Sequence, residues 1–181
     1  MRKILSALTL AALALPVAAF SGFSAGGNSR SGSERFSGSL TGAPALANVT
    51  TYNLTFSGPI STTGTITLGS GGNKKGDEHT LKTKAGNLVI VLDRDVGNGV
   101  AKGNPTTCVF SDRITVPATI VGSKSTGSWA GATGNFGIVA LFRATGPKLS
   151  NGKCNTSSSA KPITSTAFSS FAGAGPVTVK S

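Results

Sequence analysis

Six carboxylates and one histidine make up the acid–base inventory of this 181-residue chain, and three of them are consecutive. Asp77-Glu78-His79 sets two carboxylates beside the sole imidazole, the one cluster able to move a proton or hold a metal. In a strand, Asp77 and His79 would share a face. The segment follows a Gly- and Lys-rich stretch, however, where a solvated charge cluster is commonplace. Asp93 and Asp95 flank Arg94 and have oxygen donors that suit calcium, yet they stand where turn formers and surface charges belong. Any Ser–His–Asp triad must use His79, and no nucleophile-elbow sequence is present. The glycine-rich loops lack the Lys-Ser/Thr pairing of a phosphate cradle. The sequence therefore assigns no catalytic residue, no metal site and no cofactor, and it disfavours a hydrolase.

Cys108 and Cys154 are the only cysteines. A metal pair or a reactive thiol is one reading, but two cysteines and one histidine cannot complete a tetrahedral zinc site without a carboxylate. A structural disulfide is preferred. It closes a loop of about 45 residues around Trp129, a constraint of about 4 kcal/mol in the chain-entropy model.

The first 19 residues carry the three parts of a secretory signal. Arg2 and Lys3 supply the positive start, Ile4 to Leu15 the apolar core, and Val17-Ala18-Ala19 the small-residue cleavage motif. The apolar run is too short to span a bilayer, so the expected product is secreted or periplasmic, cut after Ala19, without a membrane anchor. Such a route also favours cysteine pairing. Residues 20–34 are small and polar and are expected to be flexible or loosely attached. Residues 35–181 make one domain.

Basic residues number 17 against 6 acidic, and removal of the signal leaves a charge of about +9 by the same count. The bases are scattered, with no block of five or six and few aromatics between them. A specific nucleic-acid site concentrates both, so none is expected. A basic exported protein is suited instead to weak contact with an anionic envelope polymer.

Thr, Ser and Gly dominate the composition, which favours strands and turns over helices. Period-2 alternation marks the strands: Tyr52, Leu54 and Phe56 on one face of 51–58, Ile60 to Leu68 on one face of the next. Residues 86–93 are apolar on both faces, as in a strand covered on two sides. Residues 113–122 alternate but contain Pro117, which cannot donate to a ladder, so an edge, bulge or break is expected there. Phe136, Ile138, Ala140 and Phe142 share a side of a further strand, and the tail supplies one or two more. Short connections favour an all-β fold, an antiparallel up-and-down β-barrel of about eight strands, because closure removes exposed edges. A β-sandwich is the runner-up. The alternate faces rich in Thr and Ser, without aromatic girdles, argue against an outer-membrane barrel.

Trp129 stands in a run with Gly127, Gly131, Gly134 and Gly137, residues that admit positive φ or close backbone approach. Its indole either plugs one end of a barrel or forms a stacking platform at a pocket mouth. The stretch "GSKSTGSWAGATGNFG" (122–137) resembles a hairpin of small secreted bacterial proteins with the allene oxide cyclase-like, or dirigent-like, β-barrel fold. "LTFSGPISTTGTITL", "DEHTLKTKAGNLVI" and Cys108 follow the order of segments in those proteins. Trp129 replaces the usual Tyr or Phe, and Lys124-Ser125-Thr126-Gly127 replaces a Gly-Gly-Thr-Gly. The resemblance implies a fold. The acidic residues by which plant relatives steer cyclisation or coupling have no match here.

Three functions remain open at this level. The preferred one is a secreted, non-enzymatic barrel that binds a small apolar molecule, with Trp129, Phe136, Ile138 and Phe142 as candidate ligand contacts, or else an anionic envelope polymer. The second is a cyclase- or dirigent-like enzyme that shapes a hydrophobic substrate in a cavity holding one buried carboxylate. The third is a secreted interaction protein with an apolar docking patch.

Overall fold

A computed structural model describes residues 29–69, 74–96, 102–157 and 159–180. The expected signal segment and its cleavage site lie outside these residues. Nine strands run β1 (Ser29–Thr41), β2 (Thr50–Ser57), β3 (Thr62–Leu68), β4 (Glu78–Thr83), β5 (Gly86–Leu92), β6 (Lys102–Gly103), β7 (Val109–Ile120), β8 (Thr133–Thr145) and β9 (Ile163–Lys180). Each long strand pairs antiparallel with the next, skipping only the two-residue β6, and β1 pairs with β9 from Ser29–Lys180 to Thr41–Phe168. The result is a closed eight-stranded up-and-down barrel with β6 added outside β7. Closure excludes the sandwich.

The seam between β5 and β7 is short, with Ile90–Ile120, Val91–Thr119 and Leu92–Ala118 in register. Pro117 lies in the middle of β7, paired with Gly137 of β8, and neither breaks nor bulges the strand. Its carbonyl accepts from the Asp93 N–H at 3.0 Å, just past the end of β5. In an antiparallel ladder, N–H and C=O of a residue point the same way. The donor that Pro117 lacks is thus missed only where β5 has already ended.

The N-terminal boundary differs from expectation. Residues 29–34, assigned to the flexible segment, form the start of β1, and Glu34 is fully buried. Polar side chains at Ser29, Ser31 and Ser33 leave no apolar pattern, but their backbone pairs with Pro176–Lys180, whose Val177 and Val179 supply the buried surface. Composition reports on side chains and is silent about a backbone partner far along the chain.

Inward residues stack in layers inside the barrel. Phe36 is the hub, with ring centroids 5.3 Å from Phe56, 5.2 Å from Phe136 and 5.6 Å from Phe171. Gly173 makes room for it, since a Cβ there would sit 2.3 Å from the Phe36 ring. One end is closed by the β7–β8 connection around Trp129. The other carries the β1–β2, β3–β4, β5–β7 and β8–β9 connections and a small second cluster of Ala45, Ala144 and Ala167.

The Trp129 end explains the glycines of 127–137. Gly86 (φ 123°) and Gly127 (φ 62°) face each other, and a Cβ on either would lie 2.1 Å from the Thr126 carbonyl or 2.2 Å from that of Ala85. Two backbones touch because neither residue has a side chain. That contact seats the short 3₁₀ turn Gly127–Trp129 on the β4–β5 hairpin and turns the indole inward.

Candidate functional site

The inward faces do not fill the barrel completely. Between the Phe36 layer and the loop-bearing end lies a cavity of about 190 Å³. Leu68 from β3, Ile90 from β5, Ile114 from β7, Ala140 from β8 and Phe171 from β9 contribute to its wall, together with His79 from β4. All are placed by the alternation that puts every second residue of a strand inside. His79 is the one ionisable side chain in the lining. Its volume exceeds the ~150 Å³ of an apolar cavity that holds benzene.

The sequence candidates divide around this cavity. Ile138 lines it. Phe136 lies in the aromatic layer beside Phe36 and is 1% exposed. Phe142 is one row nearer the loop-bearing end, its ring 5.9 Å from that of Phe110. Trp129 is at the far end with no exposed surface, 5.7 Å from Phe56, and its Nε1 donates to Thr83 Oγ1 at 3.1 Å. A residue with no accessible face offers no stacking platform, so Trp129 acts as the plug of that end.

The Asp77-Glu78-His79 cluster is dispersed. Asp77 precedes the strand and its carboxylate accepts from the Lys74 N–H at 2.7 Å. Glu78 points outward to an ion pair with Lys124. His79 alone faces inward. Asp93 accepts from the Thr119 hydroxyl at 2.8 Å and Asp95 from the Lys75 N–H at 2.7 Å, the behaviour of residues that tie down turns. No group of three His, Cys, Asp or Glu side chains gathers into a metal set among the described residues.

Three buried side-chain oxygens lack a hydrogen-bond partner among the described residues: Glu34 Oε1, Asp112 Oδ1 and Ser169 Oγ. Glu34 lies toward the Trp129 end. Its Oε2 accepts from the Ile60 N–H at 2.9 Å, and burial pushes its carboxyl above the ordinary value despite backbone hydrogen bonds from Ile60 and Arg35. The Phe36 layer separates it from the cavity, so the buried carboxylate that an enzymatic reading needs is not on the cavity wall. Sequence reasoning missed all three. The available signal was parity: Glu34 is two residues before Phe36, Asp112 two before Ile114, and Ser169 two before Phe171.

Cys108 and Cys154 are joined, with Cα atoms 5.3 Å apart. The bridge lies at the loop-bearing end, opposite Trp129, and borders an outer groove of about 720 Å³ with Phe110, Pro147 and Lys153 on its walls. No family model, curated protein or solved structure matches the chain. What can be said of its chemistry rests on these residues. Among the described residues no helix is long and apolar enough to cross a membrane. Among the described residues the exposed large apolar side chains are Val49, Leu149 and Ile163, each from a different connection or strand start.

Proposed function

We propose that the protein is an exported, non-enzymatic binder that holds a small apolar molecule inside its barrel. The observation that carries the reading is the cavity between Phe171 and the loop-bearing end, walled by aliphatic residues of four strands. Its volume suits a single ring or a short branched chain, since small-molecule sites below ~300 Å³ take ligands smaller than a drug. Export is part of the proposal, supported by the signal-like first 19 residues and the Cys108–Cys154 bridge. Kinship with allene oxide cyclase-like barrels belongs to it too, supported by the hairpin at 122–137 and the order of segments.

Toluene is the direct probe. Titration of the disulfide-intact protein, followed by calorimetry and methyl NMR, is expected to show one saturable site with shifts at Ile90, Ile114 and Ile138. Shifts spread over the surface, or none, would remove the reading. Filling the cavity with Ala140→Leu is expected to abolish toluene binding while the strand signal in circular dichroism persists.

A second reading, attachment to an anionic envelope polymer, is favoured by charge. Lys124–Glu78 is the ion pair found among the described residues, and it leaves most of the 17 bases uncompensated. Retention on a polyanionic resin that fades between 50 and 200 mM salt, at roughly the screening lengths of such solutions, is the expected behaviour. Retention that ignores salt would speak against it.

A further inference from the structure

The outer groove beside the Cys108–Cys154 bridge, about 720 Å³, is of the size that small-molecule sites have, ~300–1,000 Å³. It opens outward, and its lining mixes apolar and polar side chains. Phe110 and Pro147 are half-buried, whereas Asn104 and Lys153 are exposed. Cys108 in its wall has φ 57°, the one positive φ of a non-glycine among the described residues. Strain of that kind persists where the surroundings over-determine it, and it clusters at functional sites.

The side-chain nitrogens that face this groove's ligand space are all donors. Asn104 Oδ1 accepts from the Thr106 N–H at 2.9 Å and the Thr107 N–H at 3.0 Å. Asn155 Oδ1 accepts from the Ser157 N–H at 3.0 Å. A backbone N–H can only donate, so these bonds fix which amide atom is oxygen and leave each Nδ2 for another partner. Neither Nδ2 has an acceptor among the described residues. Carbonyls along the wall are already engaged: that of Asn104 by the Cys108 N–H at 2.9 Å, that of Cys108 by Gly146 at 2.8 Å and that of Pro147 by Asn155 at 2.9 Å. Lys153 adds a cation with no acidic partner among the described residues. Lys102 and Lys148 adjoin the lining, the first beside Gly103 in β6 and the second paired with Cys154. Among the described residues no carboxylate belongs to the lining.

We infer that this groove holds a uronic-acid segment of an acidic polysaccharide. The C–H faces of its rings lie against Phe110 and Pro147, and its acid and hydroxyl oxygens accept from Lys153 and from the Asn104 and Asn155 amides. Charge-assisted hydrogen bonds of this kind are stronger than neutral ones. A phosphate chain would meet the donors but has no apolar ring to cover Phe110 and Pro147. A wholly apolar molecule would cover those two and leave the donors unpaired. The inference rests on the reading of an anionic envelope polymer and places that polymer's contact at one end of the barrel.

A short oligogalacturonate, its neutral methyl ester and polyphosphate separate ring from charge. Titrated by calorimetry into the disulfide-intact protein at low salt, the oligogalacturonate is expected to bind at least about tenfold more tightly than either of the others. Asn104→Asp and Asn155→Asp keep the oxygen that closes each turn and replace the donor nitrogen. Together they are expected to weaken the oligogalacturonate at least about tenfold, with the strand signal in circular dichroism unchanged. Lys82→Gln with Lys84→Gln shifts the net charge by the same amount on β4 and its hairpin turn, at the Trp129 end. That pair is expected to leave the affinity within about threefold, since charges well beyond a screening length act weakly. No loss from the Asn pair, or equal weakening by both pairs, would overturn the groove and keep the charge-driven reading. Polyphosphate or the methyl ester binding as tightly as the acid would overturn the uronate. Failure of oligogalacturonate and polyphosphate alike would overturn the anionic-polymer reading itself.

Discussion

Burying Glu34 sets one carboxyl group against the water it would otherwise keep. Oε2 has the Ile60 N–H, and Oε1 has nothing among the described residues. Desolvation raises its pKa from the ordinary 4.5, so the folded chain holds this proton more tightly than the unfolded one. The stability it contributes is complete below about pH 4.5 and is lost as pH rises through the folded-state value. Urea unfolding of the native protein is therefore expected to show a falling midpoint from pH 4 to 7. Glu34→Gln keeps an acceptor for Ile60 and cannot ionise, so its midpoint is expected to vary less over that range. A native midpoint that does not fall with pH would show that Glu34 titrates as an exposed glutamate.

At the scale of the elements, the contact between the β4–β5 hairpin and the Trp129 turn depends on two glycines. Gly127→Ala would place a methyl 2.2 Å from the Ala85 carbonyl at φ 62°, and the expected loss is at least about 2 kcal/mol. Gly131→Ala is the comparison. It has φ 69° but meets only Lys180 side-chain carbons, the nearest at 3.6 Å, so its loss is expected to be about 1–2 kcal/mol, the conformational part alone. Thermal melts of the pair separate the clash from the dihedral. These elements also show what the sequence makes legible. Tyr52, Leu54 and Phe56 alternate against Thr51, Asn53 and Thr55 and are buried as their spacing implies. Ile138 is found on the cavity wall for the same reason. Ser29–Ser33 escape notice because backbone pairing with β9 leaves no trace in their side chains. Asp112 and Ser169 escape because a polar residue at an inward position reads as an error in the pattern until three-dimensional registry gives it neighbours. His79 is visible, but its sequence neighbours suggest the wrong company: chain adjacency puts it with Asp77 and Glu78, whereas strand pairing puts it with Ile90.

For the whole molecule, the Cys108–Cys154 bridge ties the start of β7 to the connection before β9. The double variant Cys108→Ser/Cys154→Ser is expected to lose about 2–4 kcal/mol while keeping its strand content, because the bridge lies outside the layers that fill the barrel. An unfolded double variant would mean that the loop-bearing end is not an accessory to the barrel but a condition of it. The same end borders the cavity through Gly69 and Val96.

The ring is sealed by its two most distant segments in sequence. β9 lies between β1 and β8 over most of its 18 residues, so a chain shortened before Ile163 keeps two long unpaired edges, each a template for a neighbouring molecule. During synthesis the first strand must wait for the last, and long-range closure of this kind is slow. A nascent chain that stays open until its final segment has emerged is one that an export channel can still thread.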